Sequence, residues 1–315
     1  MTFCDSHLHV SQCSDFTHFS QAENYLCVSS CHSKEDLESL GRFGKAGVEP
    51  SSPPGYPHFR CSLHSSASLR NAFGGATIPT AATSCRDEFS EENSRSTASE
   101  PHPCGGFTGH NAFISYGIHP QIVTPMYLKT DFSSDLVYLE SLISEKKIVA
   151  IGECGFDFFT PEFKSTAKEQ EIVFESQLSL AQKNNLPLVL HLRKSIEKIF
   201  SYSRELKKLP AVVFHSFPGT LREAESLKNH GINAFFSFGK PILNGKKSAI
   251  ECVKSLPLQN LLFETDAPYQ TLKGETETRP VEIKRVYEKA CELRGIAIEN
   301  LCEAVFENFK TAYRI

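Results

Sequence analysis

Leu188-Val189-Leu190-His191-Leu192-Arg193 is an unbroken apolar run until its end, where a histidine and an arginine appear. A strand with one wet face alternates apolar and polar residues. A continuous apolar run of this length instead suits a parallel strand buried on both sides under helices. Val212-Val213-Phe214 repeats the pattern and again ends in a histidine, His215. Working outward from these two, eight strands in all are expected, at 3–10, 25–30, 112–117, 148–153, 188–192, 211–215, 232–238 and 260–266. Helical periodicity fills the intervals at 169–184, 221–230, 247–255 and 281–294. Gly231 and Gly295 stand where helix C-termini call for a residue with positive φ. Eight strands alternating with helices predict an α/β chain, a (β/α)8 TIM barrel. A last helix, 298–313, is expected to pack outside it.

Residues 49–110 break the pattern. Ser51-Ser52-Pro53-Pro54, Ser65-Ser66 and Ser94-Arg95-Ser96 belong to neither period. Such composition buries too little apolar surface to offset its ordering entropy. The segment is read as a disordered or irregular insertion between the second helix and the third strand. A lid or partner-binding loop is the functional alternative. Without it about 250 residues remain, the usual size of such a barrel. The whole of 1–315 is thus read as one barrel carrying this insertion. Its own histidines, His58, His64, His102 and His110, have no ligand spacing.

The 315 residues carry a formal net charge of -4. That argues against a broad electrostatic nucleic-acid surface, although bound cations can supply positive charge for a phosphate substrate. No apolar run approaches the roughly 20 residues that span a bilayer. No basic segment followed by an apolar stretch opens the chain, so a secretory leader is not expected. The 11 cysteines show no CxxC pairing and read as reduced thiols. A cytoplasmic location is expected, with no membrane association and no obligate protein partner.

The polar residues that end the apolar runs carry the chemistry. His7 and His9 lie two apart, and so on one face of the first strand. The fourth strand offers Glu153, the fifth His191, the sixth His215 and the eighth Asp266. Taken singly, each has a plain structural explanation: a hydrogen-bonded core histidine, a helix cap, a turn. Together they fall at the same end of their strands, where barrel active sites form. Burying six such groups without a cation would be costly.

The set suits two divalent ions. His7 and His9 would hold one, His191 and His215 the other. Glu153 has two oxygens, enough to bridge ions roughly 3.5–4 Å apart. Asp266 would ligate one ion and orient or deprotonate an attacking water, so Asp266 and Glu153 are the expected catalytic pair. Such a centre hydrolyses phosphodiesters, amides or esters, and the ligands alone do not choose among them. Imidazole-rich ligation favours Zn2+, Mn2+ or Fe2+.

Further elements carry a resemblance. Asp5-Ser6-His7-Leu8-His9, Gly117-Ile118-His119-Pro120, Gly152-Glu153-Cys154-Gly155-Phe156-Asp157, His191-Leu192-Arg193, His215-Ser216-Phe217 and Glu264-Thr265-Asp266-Ala267-Pro268-Tyr269 together resemble the TatD family of metal-dependent deoxyribonucleases, among the amidohydrolase-like barrels. The resemblance spans 1–48 and 111–315. It implies metal roles for His7, His9, Glu153, His191, His215 and Asp266, and a place for His119 beside the metals and a substrate phosphate. Glutamate in the fourth strand, rather than a carbamylated lysine, points to this branch. Two Mg2+ or Mn2+ ions are implied, with Zn2+ as a further option. The implied substrate is DNA, cut from the 3′ side of single strands, with RNA as a second possibility.

Arg193 is expected to contact phosphate, because a guanidinium matches phosphate oxygens in two places; the plain alternative is a surface arginine opening a helix. Asp157 is expected either to support a ligand or to cap a helix. One departure stands out. The family's Arg-Asn-Glu-Pro-like element is replaced by Gly274-Glu275-Thr276-Glu277-Thr278-Arg279-Pro280. Lys240, Lys246 and Lys247 read as a solvated loop or as steering charges. Phe217, Phe238 and Tyr269 read as core residues or as base-stacking surfaces. Two other functions remain open: a hydrolase of small amides, lactones or esters, and a non-catalytic metal-binding interaction protein.

Overall fold

The computed structural model describes residues 1–14, 24–43 and 111–315, with the side chains of 41–43 excepted. The insertion read at 49–110, with its four histidines, lies outside the described residues.

Eight parallel strands pair in chain order: β1 (Phe3–Leu8), β2 (Tyr25–Cys31), β3 (Ala112–Tyr116), β4 (Ala150–Asp157), β5 (Leu188–Arg193), β6 (Val212–Phe214), β7 (Ala234–Phe238) and β8 (Leu261–Phe263). Backbone bonds beyond the end of β8 bring the sheet round to its start. Asp266 N–H donates to the His7 carbonyl at 3.0 Å, and His9 N–H to the Ala267 carbonyl at 2.8 Å. The result is a near-closed, TIM-barrel-like sheet flanked by helices.

The apolar runs are buried as expected. Leu188, Val189, Leu190, Val212, Val213 and Phe214 have no exposed surface. Helices Ala167–Asn184, Leu221–Asn229, Lys247–Ser255 and Ile283–Arg294 lie close to the expected ranges. Thr220 and Glu223 form a reciprocal capping box at the start of one of them. Gly295 ends another at φ 65°. The last helix, Ile298–Tyr313, packs outside β1 and β8. Its Tyr313 hydroxyl donates to the Ser6 carbonyl at 2.7 Å, and its Asn308 amide to the Leu258 and Leu261 carbonyls. Among the described residues no helix is long and apolar enough to cross a membrane, and no cysteine is in a disulfide.

Some strand ends differ from expectation. β1, β6 and β8 end before their expected ranges do, so His9, His215 and Asp266 sit just beyond strands rather than on them. β4 runs four residues past Glu153, to Asp157. Glu153 therefore lies within a strand, at an irregular register against β5 between Ile151 and Cys154. Glycines on either side make this possible. Gly152 has φ 145° and Gly155 φ 133°, and a Cβ on either would run into a β5 carbonyl, that of Val189 or of His191. The close approach of the two backbones carries Glu153 inward.

Candidate metal centre

The strand ends bring their polar residues onto one carboxylate. Around Glu153 Oε1 stand His7 Nε2 at 3.2 Å, His9 Nε2 at 3.4 Å and His32 Nε2 at 3.0 Å. Around Oε2 stand His191 Nδ1 at 3.2 Å, His215 Nε2 at 3.3 Å and His119 Nε2 at 3.8 Å. Asp266 Oδ1 lies 3.5 Å from His7 Nε2 and 3.4 Å from His9 Nε2. The structure thus brings together all six residues read as ligands and puts His119 beside them. Three groupings have ligand atoms within 4.8 Å of one another: His7, His9 and Glu153; His7, His215 and Asp266; His119, Glu153 and His191.

The donor set fits divalent cations on two grounds. A carboxylate offers about four lone-pair sites, fewer than the six imidazoles that face this one. In addition, both ring nitrogens of His7 and Nδ1 of His9 are buried with no hydrogen-bond partner among the described residues. Buried polar atoms left unpaired in this way are costly unless something else binds them.

Neighbouring carboxylates set the imidazole orientations. His191 directs Nε2 at Asp157 Oδ2, 3.2 Å away, which leaves Nδ1 toward Glu153. His215 directs Nδ1 at Glu264 Oε1, 3.2 Å away, which leaves Nε2 toward Glu153. Such partners fix the tautomer of a metal-binding histidine. His119 differs. Its Nδ1 accepts from the Gln121 N–H at 3.2 Å, so in the neutral ring the proton sits on Nε2. It therefore offers a hydrogen bond into the site rather than a lone pair.

Charge in the cluster is strongly shifted. Burial alone would raise the Glu153 carboxyl, but His7 and His215, with hydrogen bonds from His191 and His32, hold it well below the usual range. Asp266 is likewise lowered: burial opposes this, and His215, His9 and His7 outweigh it. Burial and the nearby His191 push His119 well below an ordinary histidine. Both carboxylates are ionised at neutral pH, and His119 is neutral.

The chemistry at the rim is mixed. Of its two expected roles Asp157 takes the first, meeting His191; the helix that follows is capped by Thr160 instead, and Asp157 Oδ1 accepts from the Phe159 N–H at 2.8 Å in the loop before it. Arg193 is partly exposed, stacks on the Phe159 ring at 4.0 Å and lies 3.7 Å from Asp157. Phe217 and Phe238 are core residues. Tyr269 is half-exposed and meets the His9 ring edge-on at 5.1 Å. Lys240 is not a solvated lysine; it is buried between Glu275, in the stretch that replaces the family's Asn-Glu element, and Glu282 just after it. Asp266 gains a partner from the same side, since Gln270 Nε2 donates to Oδ2 at 3.0 Å.

Sequence reasoning passed over two residues here. Glu264 stands two positions before Asp266 and was legible only as part of the closing motif. His32 follows Val28-Ser29-Ser30-Cys31, which is not an apolar run, so the rule that found the other histidines did not reach it.

The TatD-related DNase family model matches residues 93–314. The chain belongs to that family. YabD of Bacillus subtilis (strain 168), described as an uncharacterized metal-dependent hydrolase, is 34% identical over 210 residues, 64% of this chain and 78% of that protein. A 3′-5′ ssDNA/RNA exonuclease TatD of Pantoea ananatis is 31% identical over 207 residues, 62% of this chain and 76% of that one. In fold, the chain is similar to the crystal structure of YjjV, a TatD homolog from Escherichia coli K12. The TM-score is 0.69 at 20% identity, over 99% of this chain and 98% of that one. A TatD-family hydrolase from Entamoeba histolytica gives 0.66 at 17% identity, over 99% and 98%. Family membership and the ligand groupings together make this a metal-dependent hydrolase fold of the TatD type.

Proposed function

We propose that this TatD-family protein hydrolyses phosphodiester bonds of single-stranded DNA from the 3′ end, with RNA as a second substrate. The observation that carries the reading is the convergence of imidazoles on both oxygens of Glu153, beside an ionised Asp266. His7, His9, Glu153, Asp266, His191 and His215 would hold two divalent cations. When bound, those cations would supply Lewis-acid activation of water and neutralise phosphate charge.

The remaining work falls to the chain. Asp266 is a carboxylate at neutral pH. Oδ2 is fixed by Gln270, and Oδ1 faces the cluster. It is suited to orient the attacking water and accept its proton as the new P–O bond forms and the bond from phosphorus to the leaving 3′ oxygen breaks, and then to pass that proton to the departing oxygen. His119 Nε2–H can donate to a non-bridging phosphate oxygen. Arg193, partly exposed over the Phe159 ring, can receive the phosphate. The half-exposed ring of Tyr269 beside His9 offers a stacking face for a terminal base. The likeness to a 3′-5′ ssDNA/RNA exonuclease supports the choice of substrate and direction.

The test is digestion of single-stranded DNA and RNA labelled at either end, with Mg2+ or Mn2+ added. Stepwise shortening from the 3′ end is expected. Intact strands across the whole metal range would sink the proposal.

A further inference from the structure

The geometry points to His32 as an additional metal ligand, the third imidazole on the Oε1 side of Glu153, making that site nitrogen-rich and selective for a transition metal over Mg2+. The inference rests on reading the cluster as a two-metal centre.

Its first support is distance. For metal–nitrogen and metal–oxygen bonds of about 2.0–2.1 Å, neighbouring donor atoms are separated by roughly 2.9–3.4 Å. His32 Nε2 lies 3.0 Å from Glu153 Oε1, and His7 and His9 lie 3.2 and 3.4 Å from the same oxygen. One carboxylate oxygen has about two lone-pair sites, so three imidazole N–H groups cannot all donate to it. Three imidazoles sharing a cation with that oxygen remove the conflict.

The second support is the ring's other nitrogen. His119 is committed by the Gln121 N–H to carrying its proton on Nε2. His32 is not so committed. Its Nδ1 is buried with no hydrogen-bond partner among the described residues, as are the Nδ1 atoms of His7 and His9. His32 thus shares with those two the same pattern: Nε2 turned to Oε1, Nδ1 unpaired and able to carry the proton. The His32 ring also lies against that of His9, with centroids 5.2 Å apart.

The third support is the anchorage of the loop. The His32 N–H donates to Asp36 Oδ2 at 3.1 Å, and Asp36 Oδ1 accepts from Ser11 Oγ at 2.9 Å. The backbone is tied to the helix that follows and to the segment after His9, so the imidazole is delivered from a braced position. With His32 included, one ion would meet His7, His9, His32, Glu153 and Asp266. Three imidazoles favour Zn2+, Mn2+ or Fe2+, whereas Mg2+ prefers oxygen ligands.

The test reads metal binding, not turnover. Protein labelled with 15N-histidine is titrated with Zn2+, and the His32 ring signals are assigned by their loss in His32→Ala, with His32→Asn as a second assignment variant. The same proteins are titrated calorimetrically with Zn2+ and Mg2+, and the melting of the metal-free variants checks their fold. Expected are a His32 Nε2 signal that moves to the metal-bonded position, and Zn2+ affinity at one site lowered at least about tenfold in His32→Ala. Mg2+ affinity should change less. A His32 Nε2 that keeps its proton while the parent takes up two equivalents overturns the inference, as does unchanged Zn2+ affinity in a folded variant. A parent that takes up fewer than two equivalents overturns the metal-centre reading itself, and this inference with it.

Discussion

Glu264 Oε1 lies 3.2 Å from His215 Nδ1, and both groups are buried. The contact is an ion pair off the hydrogen-bond direction rather than a straight hydrogen bond. It nonetheless turns Nε2 of the same ring toward Glu153. Removing the charge while keeping the shape isolates this effect. Glu264→Gln should fold and still bind metal, with affinity lowered about 10- to 100-fold. Equal affinity in calorimetric titration would deny Glu264 the orienting role.

Metal removal should matter for stability and for protons. A ligand present at 100 times its dissociation constant stabilises the folded state by about 2.7 kcal/mol. Chelation should lower the melting temperature accordingly, and adding back Mn2+ or Zn2+ should restore it. Binding should also release protons at pH 7. In the metal-free cluster burial opposes the charge on His215, but Glu264, Glu153 and Asp266 outweigh it and push the imidazole up to about 10. That proton must leave for the nitrogen to bind metal. Binding heats that do not depend on the ionisation enthalpy of the buffer would contradict this.

Gly152 lets β4 approach β5 beside Glu153. A Cβ there meets the Val189 carbonyl in a conformation, φ 145°, that other residues rarely adopt. Gly152→Ala should cost about 1–3 kcal/mol in denaturant unfolding and should weaken metal binding by displacing Glu153. A variant of parental stability would mean that the two backbones have room to part.

The acid limb of stability should carry the signature of Glu275. The hydrogen bond from Lys240 is the main cause that lowers its carboxyl to about 2. A folded-state value below the unfolded one gives stability that is present above about pH 4.5 and lost as pH falls through the folded value. Glu275→Gln should therefore be less stable than the parent at pH 6, and the gap should close between about pH 4.5 and 2. A gap that stays constant over that window would show that the charge of Glu275 contributes nothing to stability.

The sequence made much of this legible because the barrel writes its strands as apolar runs. Leu188–Arg193 and Val212–Phe214 could be placed from composition, and His191 and His215 followed as the first polar residues at their ends. Glu153 was found by the same rule, although its strand does not stop there; two flanking glycines let β4 continue to Asp157. His32 escaped because β2 ends in Ser29, Ser30 and Cys31, small residues that break the apolar signature while remaining buried. Lys240 was misread as solvated because its partners, Glu275 and Glu282, are supplied by a loop 35 or more positions away. Local pattern reports which residues face inward; it does not report which distant charge meets them.

The central claim is that Asp266 serves a metal-dependent attack on phosphodiesters. It is tested most directly by comparing the parent with Asp266→Asn on a 5′-labelled single-stranded DNA at saturating Mn2+, with metal content measured in both. The account predicts stepwise 3′ cleavage by the parent and a loss of about 10²- to 10⁴-fold in the variant, of the size expected for a proton-transfer group. A metal-loaded Asp266→Asn protein that cleaves at the parental rate would contradict it.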